Sequence, residues 1–246
     1  MSASEVLPHL LISPGEVPDR VILTGDPGRV DFLASLLEDP RLVSQNREFR
    51  LVAGEFQGRE ILIASTGIGG PSAGIAIYEL ARAGVSHFIR VGTTGALKRG
   101  VKIGSAVVPH GAVRMDGTSN FYAPPEFPAV PDPRLTVELA DVARDLGIEV
   151  LEGIIVSMDA FYVDEDWLLE QAEEMNLVSV EMECSTLFVM TKILGASSAA
   201  ILVVDGNIAE GTLKGGPKTE KKEIPEATRS GLLASAEAAM RVLAEV

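Results

Sequence analysis

Short runs of consecutive apolar residues alternate along this chain with stretches whose apolar positions recur at helical spacing. Arg20 to Thr24, Arg50 to Phe56, Glu60 to Ser65, His87 to Val91, Ser105 to Pro109, Val150 to Ser157, Leu177 to Val180 and Ala199 to Val204 have strand length and strand composition. The unbroken apolar character of ILIAS, FIRVG and AILVVD suits strands covered on both faces. Gln57-Gly58-Arg59 reads as the turn of a hairpin. Val30 to Leu37 reads as a helix, and Pro71 opens another that ends near Ala83. Pro131-Asp132-Pro133 introduces a helix from Arg134 to Leu146 that Gly147 stops, and a last one runs from Glu226 to the C-terminus. The pattern predicts an α/β three-layer sandwich, with helices on both faces of a mixed central sheet, in one domain spanning 1–246. Residues 211–223, rich in glycine and lysine, read as a mobile loop.

Charge narrows the partners. A net charge of −14 opposes binding to a nucleic acid, whose affinity comes from lysines and arginines neutralising phosphates. A small anion remains possible where a few arginines converge. The one cysteine, Cys184, permits no internal disulfide and fits a reducing compartment. The N-terminal residues carry no secretory pattern and no run reaches bilayer length, so a cytoplasmic location without membrane contact is expected.

In open α/β sheets ligands collect at the carboxyl ends of strands. Four such ends are unusual here: Gly25-Asp26-Pro27-Gly28-Arg29, Ser65 to Gly70, Arg90 to Gly95, and Asp205-Gly206-Asn207. The glycines around Asp26-Pro27 make a tight turn whose amides can face a ligand, although taken alone an ordinary strand–helix turn is the better reading. STGIGG is not the dinucleotide fingerprint, because Ser72 stands where its last glycine or alanine belongs and the next strand ends on no acid. Arg90 lies between Ile89 and Val91 in an apolar strand, where an unpaired guanidinium is expensive. It needs an anion, either a ligand or a structural carboxylate. Arg29 and Arg47 alone look like surface arginines.

Glu181 and Glu183 flank Met182 after the strand LVSV. On extended backbone the two carboxylates point opposite ways, so that one can accept the vicinal hydroxyls of a sugar. A pair of acids in a first helical turn fits the same spacing. Asp205 ends a very apolar strand, where partial burial favours the protonated form that a proton donor requires; a turn-capping aspartate fits as well. Cys184, His87 and His110 have no catalytic or metal-ligand spacing, and no metal site is expected.

Together, GDPGRV, NREF, STGIGGPS, IRVGTTGAL, FPAVPD and VEMECSTL resemble, in order and spacing over nearly the whole chain, the nucleoside phosphorylases, the hexameric purine and uridine phosphorylases. The resemblance implies that Gly25, Arg29, Arg90 and Thr93 hold inorganic phosphate, the co-substrate, with no cofactor. It implies that Arg47 is lent to that phosphate by a neighbouring subunit and that His9 reaches across the interface to a ribose 5′-hydroxyl. Glu181, Met182 and Glu183 fall among the nucleoside contacts, with Glu183 on the ribose hydroxyls, and Phe161 lies against base and sugar. It further implies a homo-oligomer, a trimer of dimers with shared active sites.

The purine and uridine branches divide on few positions. Similar uridine enzymes read uracil with a glutamine and an arginine where this chain has Glu165 and Trp167, and have Asn-Arg where it has Asp205-Gly206. An aspartate at 205 is the purine pattern, where it protonates or bonds the imidazole-side nitrogen of the base. The arginine that assists it in bacterial purine enzymes is absent, Lys218 being the nearest basic residue. GTSNFYAPPEFPAVPD looks more like the uridine branch. The sequence therefore predicts a purine-nucleoside phosphorylase in which Asp205 and Arg90 are catalytic, with uridine phosphorolysis as the alternative. A nucleoside hydrolase or a non-catalytic nucleoside-binding protein ranks lower, since neither has use for three arginines beside Glu183.

Overall fold

The computed structural model describes residues 6–212 and 225–246; Lys218 and most of the expected loop lie outside the described residues. Strand β1 (Arg20–Thr24) runs parallel to both β4 (Arg59–Ser65) and β5 (His87–Ala96). Beyond β4, the sheet continues antiparallel through β3 (Phe49–Phe56) to an edge strand, β2 (Glu38–Asn46). On its other side β5 pairs in parallel with β9 (Ser197–Asn207) and antiparallel with β8 (Ser179–Glu181). The strands β7 (Val150–Met158) and β6 (Ala106–Met115) link β8 to β9. The mixed nine-stranded sheet thus curls until β5, β8, β7, β6 and β9 close on themselves.

The alternation of side chains along β1 explains the layers. Val21 and Leu23 join one core, with Ala73, Ile77 and Leu80 of α2 (Gly70–Ala83) and Leu187 and Phe188 of α6 (Cys184–Ile193). Ile22 points to the other, with Val30 and Leu33 of α1 (Pro27–Ala34), Leu139 of α4 (Pro133–Asp145) and Leu232 and Leu243 of α7 (Glu226–Glu245). A smaller cluster holds Leu168 and Ala172 of α5 (Glu165–Glu174) against Val156 and Met158, with Ile208 of a 3-10 turn (Ile208–Glu210) at its border. The short helix α3 (Thr118–Tyr122) follows β6. No helix among the described residues is long and apolar enough to cross a membrane.

Several boundaries differ from those expected. Helix α1 begins at Pro27, not Val30, because Asp26 caps it by accepting the amide of Gly28 at 2.8 Å. Strand β2 was not anticipated: EDPRLVSQN is largely exposed and carries a proline, as suits an edge, and shows no apolar alternation. Strand β5 does not stop at Val91 but continues through Ala96, because β9 pairs with it along its whole length. That ladder slips once: Thr94 faces Val204 and Gly95 faces Gly206, so Asp205 is the extra residue of a β-bulge.

Candidate active site

Strand alternation carries Phe88 into the core under α2 and α6, and Arg90 lies on that same face, 5% exposed. Its Nη2 donates to Glu183 Oε2, and its Nε stands 3.3 Å from Glu181 Oε2, an ion-pair contact without hydrogen-bond geometry. The anion demanded by Arg90 is thus supplied twice over by protein carboxylates, yet Nη1 is buried with no hydrogen-bond partner. Burial alone would loosen the guanidinium proton, but Glu183 and Glu181 outweigh it and raise Arg90 above its usual range.

The two glutamates do not diverge as extended backbone would have them. Strand β8 ends at Glu181, and Glu183 turns out of it at φ −137°, ψ −22°, so both carboxylates meet Arg90. Nor are they acids of a first helical turn, since α6 begins at Cys184. The Oε1 of Glu183 accepts the amide of Gly69 at 2.6 Å. Gly69 has φ +85°, a conformation that only glycine adopts without strain. Burial pushes the Glu183 carboxyl above the usual carboxylate range; Arg90 pulls it down and Glu181 pushes it further up. The start of α6 is fixed from below by buried Asp116, which accepts the hydroxyls of Ser119, Ser185 and Thr186 and the Ser119 amide. Burial works to raise the Asp116 carboxyl, but these donors, led by Ser185, hold it below its ordinary value.

Arg29 enters from α1, its Nη2 3.5 Å from the hydroxyl of buried Thr93 and its buried Nε without a hydrogen-bond partner. Burial lowers the Arg29 guanidinium; Asp205 is the strongest opposing influence, with Asp26 and Glu183 adding to it and Arg90 acting against them. Arg29, Arg90, Thr93, Glu183 and Asp205 therefore share one neighbourhood at the ends of β5 and β9. Half-buried Gly25 adjoins it, and a Cβ there would lie 3.4 Å from the Gly67 carbonyl. Met182 is half-buried beside Glu183. The arrangement presents two guanidinium groups with unused donors beside two buried carboxyls, a cradle for a small dianion with a hydroxyl-bearing molecule next to it.

His9 and Arg47 do not join that group. Among the described residues, neither makes a hydrogen bond or ion pair with Arg29, Arg90 or Glu183. His9 Nδ1 is 2.7 Å from Glu79 Oε1, and its ring stands edge-on to Phe49 at 6.4 Å. Glu79, buried on α2, also accepts the backbone amides of His9 and Leu10. Arg47 is exposed in the β2–β3 turn with φ +54°. Phe161, 53% exposed, touches Tyr162 edge-to-face at 5.1 Å in the turn between β7 and α5. Among the described residues no group of three or more histidines, cysteines, aspartates or glutamates is placed to hold a metal ion.

Residues 19–244 match the phosphorylase superfamily. The chain belongs to it. Among its relatives is a guanosine phosphorylase of Halorubrum lacusprofundi, 43% identical over 92% of both chains. A uridine phosphorylase of Thermococcus kodakarensis is 37% identical over 81% of this chain and 76% of its own. The crystal structure of uridine phosphorylase from Vibrio fischeri superposes with a TM-score of 0.90 at 30% identity, covering 100% of both chains. This member of the superfamily is thus a nucleoside phosphorylase, a pentosyltransferase of a family that uses inorganic phosphate as co-substrate and needs no cofactor.

Gly92 is a further residue of the site that was not among the expected ones. A Cβ there would stand 3.0 Å from Arg90 Cζ, Arg90 Nη2 and Leu202 Cδ2, so the absence of a side chain gives the guanidinium its place. The signal was present, a glycine two residues after a buried arginine on the same strand face, but glycines in GTTG read more readily as a turn. Gly92→Ala in this phosphorylase is expected to lower kcat/KM about 100-fold by displacing Arg90, at a stability cost of about 1–3 kcal/mol. Steady-state kinetics beside denaturant unfolding check it; wild-type kinetics would separate Gly92 from the placement of Arg90.

Proposed function

We propose that this enzyme is a purine-nucleoside phosphorylase, acting in the cytoplasm and converting (deoxy)ribonucleosides and phosphate reversibly into free base and (deoxy)ribose 1-phosphate. The observation that carries the purine reading is Asp205, a buried carboxyl raised out of the ladder by a bulge beside Arg29. It stands where similar purine enzymes have their base acid and similar uridine enzymes an asparagine. The guanosine phosphorylase of Halorubrum lacusprofundi, alike over nearly its whole length, supports the same reading. So does the missing uracil fork at Glu165 and Trp167.

In this reading Arg29, Arg90, Thr93 and the Gly25 turn hold phosphate, and Glu183 with the Met182 backbone holds the ribose. A phosphate oxygen attacks C1′ as the bond from C1′ to the base nitrogen breaks, and the electron pair leaves with the base. Asp205 serves the imidazole-side nitrogen that gains this charge, as its hydrogen-bond partner or proton donor. The sugar passes through an oxocarbenium-like state, to which phosphate is both counter-charge and nucleophile. Each hydrogen bond aimed at developing charge contributes about 3 kcal/mol. His9 and Arg47, apart from their own chain's cluster, serve the neighbouring subunit in a trimer of dimers, and Phe161 closes over base and sugar.

A uridine phosphorylase is the second reading, favoured by the segment 117–132 and by the relatives of that name. A nucleoside panel assayed with and without phosphate decides between them. Guanosine and inosine are expected to release base only with phosphate, and faster than uridine. Phosphate-independent release would mean a hydrolase, and binding without turnover a nucleoside-binding protein. Asp205→Asn is expected to slow purine nucleosides by about 100-fold or more while sparing uridine. Equal losses on both would remove Asp205 from the role of base acid.

A further inference from the structure

Glu181 is a buried carboxylate whose surroundings the proposed chemistry leaves unexplained. Its side chain is 2% exposed, and it accepts the Ser157 hydroxyl, the Glu183 amide at 2.9 Å and the Cys184 amide at 2.9 and 3.1 Å. With Arg90 Nε at 3.3 Å, these donors occupy the roughly four lone-pair directions of a carboxylate. Nothing remains for a sugar hydroxyl.

Glu183, meanwhile, occupies the N-cap position of α6 and makes no capping bond. An uncapped helix start leaves amides unsatisfied, and Glu181 satisfies them from two residues upstream. Glu183 is thereby released to bind the Gly69 amide and Arg90 Nη2. Ser157 extends the brace, since its hydroxyl also accepts the Ser185 amide at 2.9 Å.

We infer that Glu181 is a positioning residue: by capping α6 in place of Glu183 and holding Nε of Arg90, it presents Glu183 and the unpaired Nη1 of Arg90 to the substrate. This rests on the phosphorolysis reading only for the substrate so positioned. The charged and titratable groups facing Glu183 are Arg90 of β5, Glu181 of β8, Cys184 of α6, and Arg29 of α1. Removing the negative charge at 181 therefore eases ionisation of Glu183.

The test compares Glu181→Gln and Glu181→Asp with wild type on guanosine and its 2′-deoxy and 3′-deoxy analogues. Glu181→Gln is expected to lower kcat about 100-fold on guanosine and raise the phosphate KM, with a smaller but still marked loss on each deoxy analogue, where Glu183 has one hydroxyl fewer to hold while Arg90 is displaced as before. The acid limb of its kcat/KM profile should move to lower pH, and Glu181→Asp, which keeps the charge, should return it. A penalty that vanishes on either deoxy analogue would make Glu181 a direct ribose contact and overturn the inference. So would wild-type kinetics in folded Glu181→Gln, which would leave it a helix cap only. If Glu181→Gln does not fold, Ser157→Ala serves: about a tenfold loss of kcat with an unmoved acid limb supports the inference, and wild-type kcat overturns it. If wild type itself releases no base with phosphate, the phosphorolysis reading fails. Thermal protection by inorganic phosphate then decides, loss in the variant supporting the placement of Arg90 and no change refuting it.

Discussion

Arg90→Met is expected to unfold about 10 °C below the parent protein near pH 8 and to lose phosphorolysis. Methionine fills most of the volume but leaves Glu181 and Glu183 as two buried carboxylates without a counter-charge. Breaking a buried ion pair from one side costs about 3–5 kcal/mol, which in a chain of this size corresponds to about 10 °C. The sign of the pH dependence follows from Glu183. Burial already raises its carboxyl, and Arg90 is what pulls it down. With Arg90 gone, the folded state holds a proton there still more tightly than the unfolded chain does. A raised carboxyl contributes stability that is full below its unfolded value and lost as pH rises through the folded one. The deficit should therefore shrink toward about pH 5 and widen toward about pH 8, as calorimetry at both ends would reveal. A deficit independent of pH would mean that the carboxylates find other partners.

Glu183→Gln is expected to lower kcat/KM on ribonucleosides about 1,000-fold with little change in fold. The proposed ribose contact puts two hydrogen bonds to the carboxylate at stake, each of about 1.5–3 kcal/mol. The amide keeps one acceptor but sets an N–H against either the Gly69 amide or Arg90 Nη2, both donors. The loss should be far smaller on 2′,3′-dideoxynucleosides, which lack the hydroxyls concerned. Equal losses on both substrates would mean that Glu183 acts on phosphate through Arg90 rather than on the sugar.

Most strands and helices were legible in the sequence because burial on two faces writes long apolar runs, as in FIRVG and AILVVD. Strand β2 was not, since an edge exposed to water needs no apolar pattern. Arg90 was legible as a charge requiring an anion, but whether ligand or carboxylate supplied it depended on where the chain turns after β8. The division of labour between Glu181 and Glu183 was hidden for the same reason: a spacing of two residues fixes directions only while the backbone stays extended. The closure of β5 to β9 into a barrel could not be read locally either, since it rests on pairing between strands far apart in sequence. Glu79 passed unnoticed because a lone acid in a helical segment looks solvated until the N-terminal segment is folded over it.

One irregularity of the ladder bears on how such enzymes diversify. Asp205 has no opposite number across β5, so the side chain at that point is relieved of any duty in matching its neighbour strand. Chemistry there can be exchanged while the flanking pairs, Thr94 with Val204 and Gly95 with Gly206, keep the scaffold in register. Inserting a residue into the regularly paired stretch before the bulge would be another matter, because it would turn the side chains that follow to the wrong surface. With Asp205 as the proposed base acid, preference for one leaving group over another is open to point substitution at 205, while the paired stretch before it is closed to insertion.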